Sequence, residues 1–476
     1  MRRPTLIITF CISLLFGILL GYYFGFSVSW PWLAFVPAAF ASMFLISKKL
    51  WVIPIITTAV VLGIIAVSSY LTKQTELGLS QYNYQKLDMN GQLKGEPYWD
   101  DDRNYVFVLS DVEINGQKRF GEVRIKTFSS YAKEGNRVRV SGKLFPILAR
   151  PGYQISYANV VLIDNHQPLP MRIKYNFYRG VEVSLSDDYA GFVKGVLFGA
   201  RSSLSKGLRD TMNGVGLSHV TAVSGYNLTI LVAIIYSLLK KRWAWGSVVL
   251  SLVVVWLFTF MTGFSASISR AAIMATVFIL ASYYGRPLLV YTCVALAAVL
   301  TLLPNPTVLI EDIGWQLSFI SLLGIVVISP ILLQLFPKKP KPLMELLAIT
   351  LAAQLATVPY IMLVFGSYSL VSLLANMVVM PFIPVIMLGG FLLGLIGVLM
   401  PADSYILGNI ATAPIRVLFE FMKYLSSQKG AIIKAKPEMA LVLLWYLFIA
   451  ALAKIFYKKR LRADSLSFQS PDRMLK

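Results

Sequence analysis

The residues richest in chemistry lie in the run Gly216-Leu217-Ser218-His219-Val220-Thr221-Ala222-Val223-Ser224-Gly225-Tyr226-Asn227, with Thr229 just beyond. Other polar side chains recur in apolar stretches downstream: Arg270, then Asp312, Gln316 and Ser318, then Gln354 and Thr357, then Asn376. Their chemistry is hydrogen bonding inside a medium of low dielectric. Strongly polar groups in membrane spans are costly and mark functional candidates by default. A Ser-Gly pair beside Asn227 and Thr229 is the pattern of a broken helix, which occurs at membrane depth where backbone lines a cavity. The bland alternative is that Ser, Thr and Gly let helices pack closely. Gln354 and Thr357, three apart, share a helix face. Arg270 sits about one turn into its stretch. Glu311 and Asp312 are its expected partners, unless the side chain snorkels to the headgroups.

Other chemistries are absent from the pattern. The two histidines are His166 and His219, and Cys11 and Cys293 sit in separate apolar runs. No CxxC or Cys/His cluster exists, so no metal centre, zinc site or disulfide framework is implied. GxxxxGK[ST] is missing, so any nucleotide-driven motor is a partner protein. No cofactor is implied, and the chain reads as neither nuclease nor NTPase.

The elements that hold these residues are membrane spans. Of the 476 residues 57% are hydrophobic and 14% charged, against about 45–50% and about 25% in soluble domains. A bilayer core needs about 20 apolar residues of helix. Three such runs open the chain, at 5–24, 30–46 and 50–70. The first lacks a clear signal-peptide cleavage site and reads as a retained span. Further runs lie at 217–239, 243–261, 266–284, 288–303, 313–336, 343–365, 370–400 and 437–456. The run 370–400 is long enough for two spans, with Pro381 and Pro384 near the break. Residues 189–213 and 405–425 are amphipathic and read as interfacial helices. The predicted class is an α-helical polytopic membrane protein of about 11–12 spans. No repeat and no low-complexity segment appears.

Residues 71–187 read differently. Short alternating runs at 105–109, 122–128, 137–144 and 158–163 are separated by Asn115-Gly116 and Gly135-Asn136, the pattern of strands and turns. They suit a small inserted β-barrel; an OB-fold, an SH3-like barrel and a small sandwich all fit the pattern. The net charge is +21, but residues 71–190 carry 16 Lys/Arg against 14 Asp/Glu. The other residues carry 28 against 9, in clusters such as 240–242, 338–341 and 458–462. Such clusters encode topology by the positive-inside rule. They place these three on the cytoplasmic side and residues 71–190 outside the cytoplasm, in a multi-pass inner (plasma) membrane protein.

At these residues a resemblance enters. The stretch 216–231, with His219 and Val223-Ser224-Gly225, resembles the signature of the ComEC-type competence family. Val196-Leu197-Phe198-Gly199 with Arg201 resembles the approach to it. Ser269-Arg270-Ala271 with Met274 resembles the next block, and Asp312-Ile313-Gly314-Trp315-Gln316-Leu317-Ser318-Phe319 the one after. Ala353-Gln354-Leu355-Ala356-Thr357-Val358-Pro359 and Asn376 with Pro381 complete the set. The polar segment resembles that family's OB-like N-terminal domain. Two departures stand out. Many members carry a histidine where this chain has Asn227. Many also end in a metallo-β-lactamase-like nuclease domain, of which no His-x-His-x-Asp run appears here.

The resemblance implies three N-terminal helices at 1–70, an extracytoplasmic OB-like β domain at 71–187 and an amphipathic interfacial region at 188–215. A channel domain at 216–456 and a short basic cytoplasmic tail at 457–476 follow. It implies passage of single-stranded DNA into the cytoplasm along a path holding His219, Ser224, Gly225, Asn227, Thr229, Arg270, Asp312, Gln316, Ser318, Gln354, Thr357 and Asn376. The barrel would receive the strand by stacking and basic contacts. Its candidates are Trp99, Tyr105, Phe107, Phe120 and Phe128, with Lys118, Arg119, Arg124, Lys126, Arg137 and Arg139. Implied partners are DNA, membrane lipid, a separate DNA receptor, a cytoplasmic helicase motor and a separate nuclease. Two other readings fit the residues: a secondary transporter of a smaller anionic solute, with His219 or Asp312 relaying protons, and a scaffold binding a partner through the barrel.

Overall fold

A computed structural model of the chain describes residues 3–25, 52–100, 104–128, 132–147, 152–165, 167–221, 225, 227–228, 244–285, 290–334 and 342–467. They divide into two compact units. The first holds residues 1–205, 220–315 and 386–412; the second holds 206–219, 316–385 and 413–476. The chain is a multi-pass membrane protein. Among the described residues six helical stretches are long and apolar enough to cross a bilayer: Thr5–Phe24, Ile53–Thr75, Ile313–Leu333, Leu343–Phe365, Ser372–Leu399 and Met439–Phe456. Three shorter apolar helices are Trp245–Met261, Ser267–Tyr283 and Val290–Leu302. The expected span at 30–46 lies outside the described residues, as does most of that at 217–239.

In the first unit, helices α1 (Arg3–Phe24) and α2 (Val52–Glu76) pack along each other. Glycine sets their spacing. A Cβ at Gly17 would lie 2.2 Å from the Val60 carbonyl oxygen, and one at Gly63 would lie 2.3 Å from that of Leu14. Small residues of this kind let backbones approach within a membrane. Gly17→Leu is therefore expected to destabilise the protein by about 1–3 kcal/mol or more through overpacking. Gly389→Leu, at a site with nothing within 4 Å, is the control, and thermal unfolding in detergent is the measurement. Equal midpoints for the two variants would mean the hairpin does not depend on this approach.

The barrel follows. Strands β1 (Lys86–Trp99), β2 (Tyr105–Ile114), β3 (Gln117–Lys118), β4 (Val123–Thr127), β5 (Arg137–Pro146), β6 (Tyr153–Ile155) and β7 (Asn159–Asp164) form one sheet. The order β1-β2-β4-β6-β5 closes because β5 also pairs with β1, while β7 extends from β5. The β4–β6 pair is parallel and the rest of the cycle antiparallel. A closed five-stranded cycle of this kind is OB-like. Alternation in β4 buries Val123 and Ile125, which join Met89, Leu93, Phe107, Leu109, Val138, Val140, Leu144 and Ile155 in the core. The 14-residue β1 is not legible from alternation, since it contains Gly91, Gly95 and Pro97. Its register shifts between Asn90 and Gln92 and between Lys94 and Tyr98. Such irregularities bend a strand, and the bend lets β1 serve two neighbours.

The residues after β7 turn helical within the segment expected to be barrel. Helix α3 (Leu169–Ser184) carries a stripe of Met171, Lys174, Phe177, Tyr178 and Val181. The expected single interfacial helix at 189–213 is instead α4 (Asp187–Phe198), a 3₁₀ turn Arg201–Ser203 and α5 (Lys206–Gly214). Gly199, with φ 78°, ends α4 in the left-handed region. Residues 190–198 of α4 are all buried within the protein. Helices α6 (Ala244–Met261), α7 (Ala266–Tyr283) and α8 (Val290–Leu302) continue the unit, and a single turn Val308–Glu311 precedes α9 (Ile313–Leu333).

In the second unit α9 continues and α10 (Pro342–Phe365) follows. Strand β8 (Ser367–Ser369) then pairs antiparallel with β9 (Ile432–Lys434). The expected break inside 370–400 is not a reversal. Helix α11 (Ser372–Val379) runs through a 3₁₀ turn at Met380–Phe382 into α12 (Ile383–Leu399), which from residue 386 belongs to the first unit, with Val379, Met380 and Ile383 all right-handed helical. A proline is tolerated in the first turn of a helix, so Pro381 and Pro384 begin new turns without stopping the chain. The stretch is one continuous helical run of 28 residues, long and apolar enough to cross a bilayer, and about 42 Å long at helical rise. Helices α13 (Pro401–Ser426) and α14 (Met439–Ser467) complete the order.

Candidate translocation site

In the first unit three stretches that lie far apart in sequence converge. A Cβ on Gly225 would lie 3.0 Å from the Ala271 Cβ and 3.7 Å from Arg270 Nη2, on α7. Asn227 is buried, and its Nδ2 donates to the Val196 carbonyl at 2.7 Å. Val196 lies in the last turn of α4, where carbonyls lack helical partners. A Cβ on Gly195 would meet Thr221 at 3.2 Å. Asn227 thus acts as a tie that caps α4. Arg270 is also buried, at 8% exposure. Its expected acidic partners are engaged elsewhere. Glu311 accepts from Tyr22 at 3.1 Å and from Thr307 at 2.8 Å. Asp312 Oδ1 accepts the Trp315 backbone N–H at 3.0 Å, which caps the start of α9. No ion pair among the described residues joins Arg270 to either acid. Ser224 and Thr229 lie outside the described residues.

In the second unit Ser372, at the first position of α11, is the meeting point. Gln354 Nε2 donates to its Oγ at 3.4 Å, and Tyr368 Oη lies 2.7 Å from the same oxygen. Asn376 Nδ2 donates to its carbonyl at 2.8 Å. Gly216 packs here too, since a Cβ on it would lie 2.7 Å from that of Ser372. Gly216 has φ 72° and closes α5: its N–H reaches Asn213 and that of Leu217 reaches Met212. This is the Schellman arrangement. His219, exposed, sets Nδ1 3.2 Å from the Gly216 carbonyl. Gln316 accepts from Tyr360. Thr357 returns its hydroxyl to the Ala353 carbonyl within its own helix, so it is satisfied locally. Ser318 is half-buried on α9. Gln354, Asn376 and the His219 segment are therefore brought together through Ser372 and Tyr368, which sequence reasoning missed. The signal available was the polar run Ser367-Tyr368-Ser369 ahead of an apolar helix.

The barrel candidates separate sharply. Phe107 is core at 1% exposure, and the half-buried Phe120 packs edge-on against Tyr70 of α2. Trp99 and Phe128 are exposed, Trp99 leaning on the half-buried Tyr105. Lys126 pairs with Asp100 at 2.9 Å and Arg137 with Glu113 at 2.9 Å. The Lys126 contact holds the Asp100 carboxyl at about 2. Arg124 donates to Tyr98, and Arg119 donates to Gln117 and lies over the Tyr82 ring. Lys118 is exposed, and Arg139 reaches Asn90.

A buried ionic cluster also escaped the sequence. Lys174 of α3 lies 2.8 Å from Glu96 of β1 and 2.7 Å from Glu134 of the β4–β5 turn. Tyr178 and Ser202 donate to Glu96, and Lys194 pairs with Glu182 at 2.6 Å. Burial pushes the Glu134 carboxyl up, against the pull of Lys174. Burial alone would lower the Lys174 ammonium, but the two carboxylates outweigh it and the net shift is upward. The cluster locks the barrel to α3. Its signal was a lysine on the apolar stripe of α3.

The chain belongs to the competence protein family, whose model matches residues 196–459, more than half of the 476 residues. It is 28% identical over 214 residues to ComE operon protein 3 of Bacillus subtilis (strain 168), a stretch that covers 44% of this chain and 27% of that relative. The matched stretch is thus little more than a quarter of the relative's length. No solved structure matches the chain.

Proposed function

We propose that the chain is an inner-membrane channel through which a single strand of DNA enters the cytoplasm during natural transformation. The observation that carries the reading is the family match, because residues 196–459 hold every polar candidate in the helical part. A strand carries one negative charge per nucleotide, and bare hydrocarbon is closed to it. A path lined by amides, hydroxyls and a few cations lowers that barrier without trapping the strand. Gln354, Ser372, Tyr368 and Asn376 bring such groups together. The barrel lies outside the cytoplasm and receives the strand. A receptor and a helicase motor act with it as partners.

The test is entry of labelled DNA in a transformable host lacking its own copy. The wild-type chain is expected to restore cytosolic DNA. Gln354→Leu is expected to lower it roughly tenfold, as removal of one buried hydrogen-bond partner worth about 1–1.5 kcal/mol in the barrier would give. Surface-bound DNA and protein abundance should hold. Uptake that falls only in step with abundance would make Gln354 a packing residue. Cytosolic DNA that is not restored by well-expressed wild-type chain would end the channel reading.

A further inference from the structure

The outward face of β5 carries a row that packing leaves unexplained. Arg137, Arg139, Ser141, Lys143 and Phe145 alternate with Val138, Val140 and Leu144, which are buried in the core. Alternate residues on a strand stand about 6.6 Å apart, so the row presents evenly spaced groups along a line. Across the β1–β5 ladder Lys86 sits directly opposite Lys143, and Asn90 opposite Arg139. Like charges directly opposite each other destabilise a sheet. Asp88, opposite Ser141, lies between them. Among the described residues the ion pairs of the barrel's outer surface are Lys94–Glu122, Lys126–Asp100 and Arg137–Glu113, and none of them holds Lys86, Lys143 or Arg139. With Lys86, Lys143 and Arg139 on one face and Asp88 as the one acid in these paired positions, the row keeps a net positive charge, which an anionic ligand would offset.

The far end of the row is aromatic. Phe145 is 38% exposed and Tyr84 60% exposed, and their rings meet edge-on with centroids 6.0 Å apart. Lys143 Nζ lies 5.6 Å from the Phe145 ring centroid. Tyr84 is held there by its N–H to the Leu144 carbonyl at 2.8 Å, with φ 64°. A cationic track joined to exposed aromatic faces is the combination that binds single strands, the cations following phosphates and the rings stacking bases.

We propose that Lys86, Arg139, Lys143, Phe145 and Tyr84 form the barrel's binding site for single-stranded nucleic acid. The identity of that strand as DNA rests on the channel reading above. An anionic lipid surface shares the phosphate chemistry but has no base to stack, so the Phe145–Tyr84 end favours the nucleic acid.

The experiment uses the full chain in nanodiscs of neutral phosphatidylcholine. Binding of fluorescent oligothymidylate is followed by anisotropy over a series of salt concentrations. Replacing Lys86→Gln and Lys143→Gln together is expected to weaken binding and flatten the slope of log K against log salt by about 1.4, or about 0.7 per lost contact. Phe145→Ala is expected to weaken binding roughly 5- to 160-fold at every salt concentration, with the slope unchanged. The thermal midpoint of the double lysine variant should hold or rise, since a repulsion is removed. Unchanged affinity and slope in the lysine variant would overturn the proposal. So would a variant that loses binding to anionic phospholipid vesicles yet keeps oligothymidylate. Strand binding through these residues by a chain that admits no DNA to cells would sink the channel reading and leave this site standing.

Discussion

Replacing Lys174 by methionine is expected to destabilise the protein by about 3–5 kcal/mol, the range found when one partner of a buried ion pair is removed. The lysine is 3% exposed and sits between Glu96 and Glu134. Without it the buried Glu134 and the half-buried Glu96 face each other, with one tyrosine and one serine hydroxyl on Glu96. The effect has a pH signature whose sign is fixed. Burial already raises Glu134 above its ordinary 4.5, and loss of the ammonium raises it further. A carboxyl whose folded pKa is raised favours the folded state fully below its unfolded pKa, and that contribution is lost as pH rises through the folded pKa. The deficit of Lys174→Met against wild type should therefore be small near pH 4 and grow above about pH 4.5. Adding Glu134→Gln should recover part of it at neutral pH. Thermal unfolding in detergent from pH 4 to 8 is the measurement, with limited proteolysis at residues 165–168 to report release of the barrel. A deficit that is independent of pH would mean the lysine acts through its alkyl packing alone.

That cluster shows where sequence reasoning stops. Alternation made β4 and β5 legible because their inward and outward residues differ in polarity. β1 was hidden because its glycines and proline are what bend it around the barrel. The apolar spans announce themselves by length, so α1, α9, α10 and α14 coincide with expected runs, and the helical run 372–399 needed only its proline turn explained. Helix α3 was absorbed into the barrel because its mean polarity is high, although Lys174 interrupts an otherwise regular apolar stripe. Glu96, Glu134 and Lys174 are about 40 residues apart in sequence, and nothing local announces that they meet. The same holds for Ser372: Gln354 and Asn376 were visible as polar residues in apolar helices, but the serine that joins them looks like any helix-start serine.

Asn227 carries the sharpest separation between lining a path and holding a helix. The residue is 2% exposed and donates 2.7 Å to the Val196 carbonyl in the last turn of α4. Leucine has similar volume and no donor. It leaves that carbonyl buried and unsatisfied, at a cost of about 1–3 kcal/mol. Asn227→Leu is thus expected to lower thermal stability and cellular abundance, and to lower DNA entry at least in proportion. Histidine is what many family members carry at this position, and an imidazole N–H can reach the same carbonyl. Asn227→His is expected to keep most of the stability that Asn227→Leu loses. The pair of variants separates the roles by comparing entry per molecule of protein in the membrane. If Asn227→His matches wild type in abundance and in entry per molecule, the carboxamide works as a cap that holds α4 against Gly225 and Arg270. If abundance recovers but entry per molecule stays low, the amide itself faces the strand. If Asn227→Leu is as stable and as abundant as wild type, the bond to Val196 carries no weight in the fold and the capping role fails.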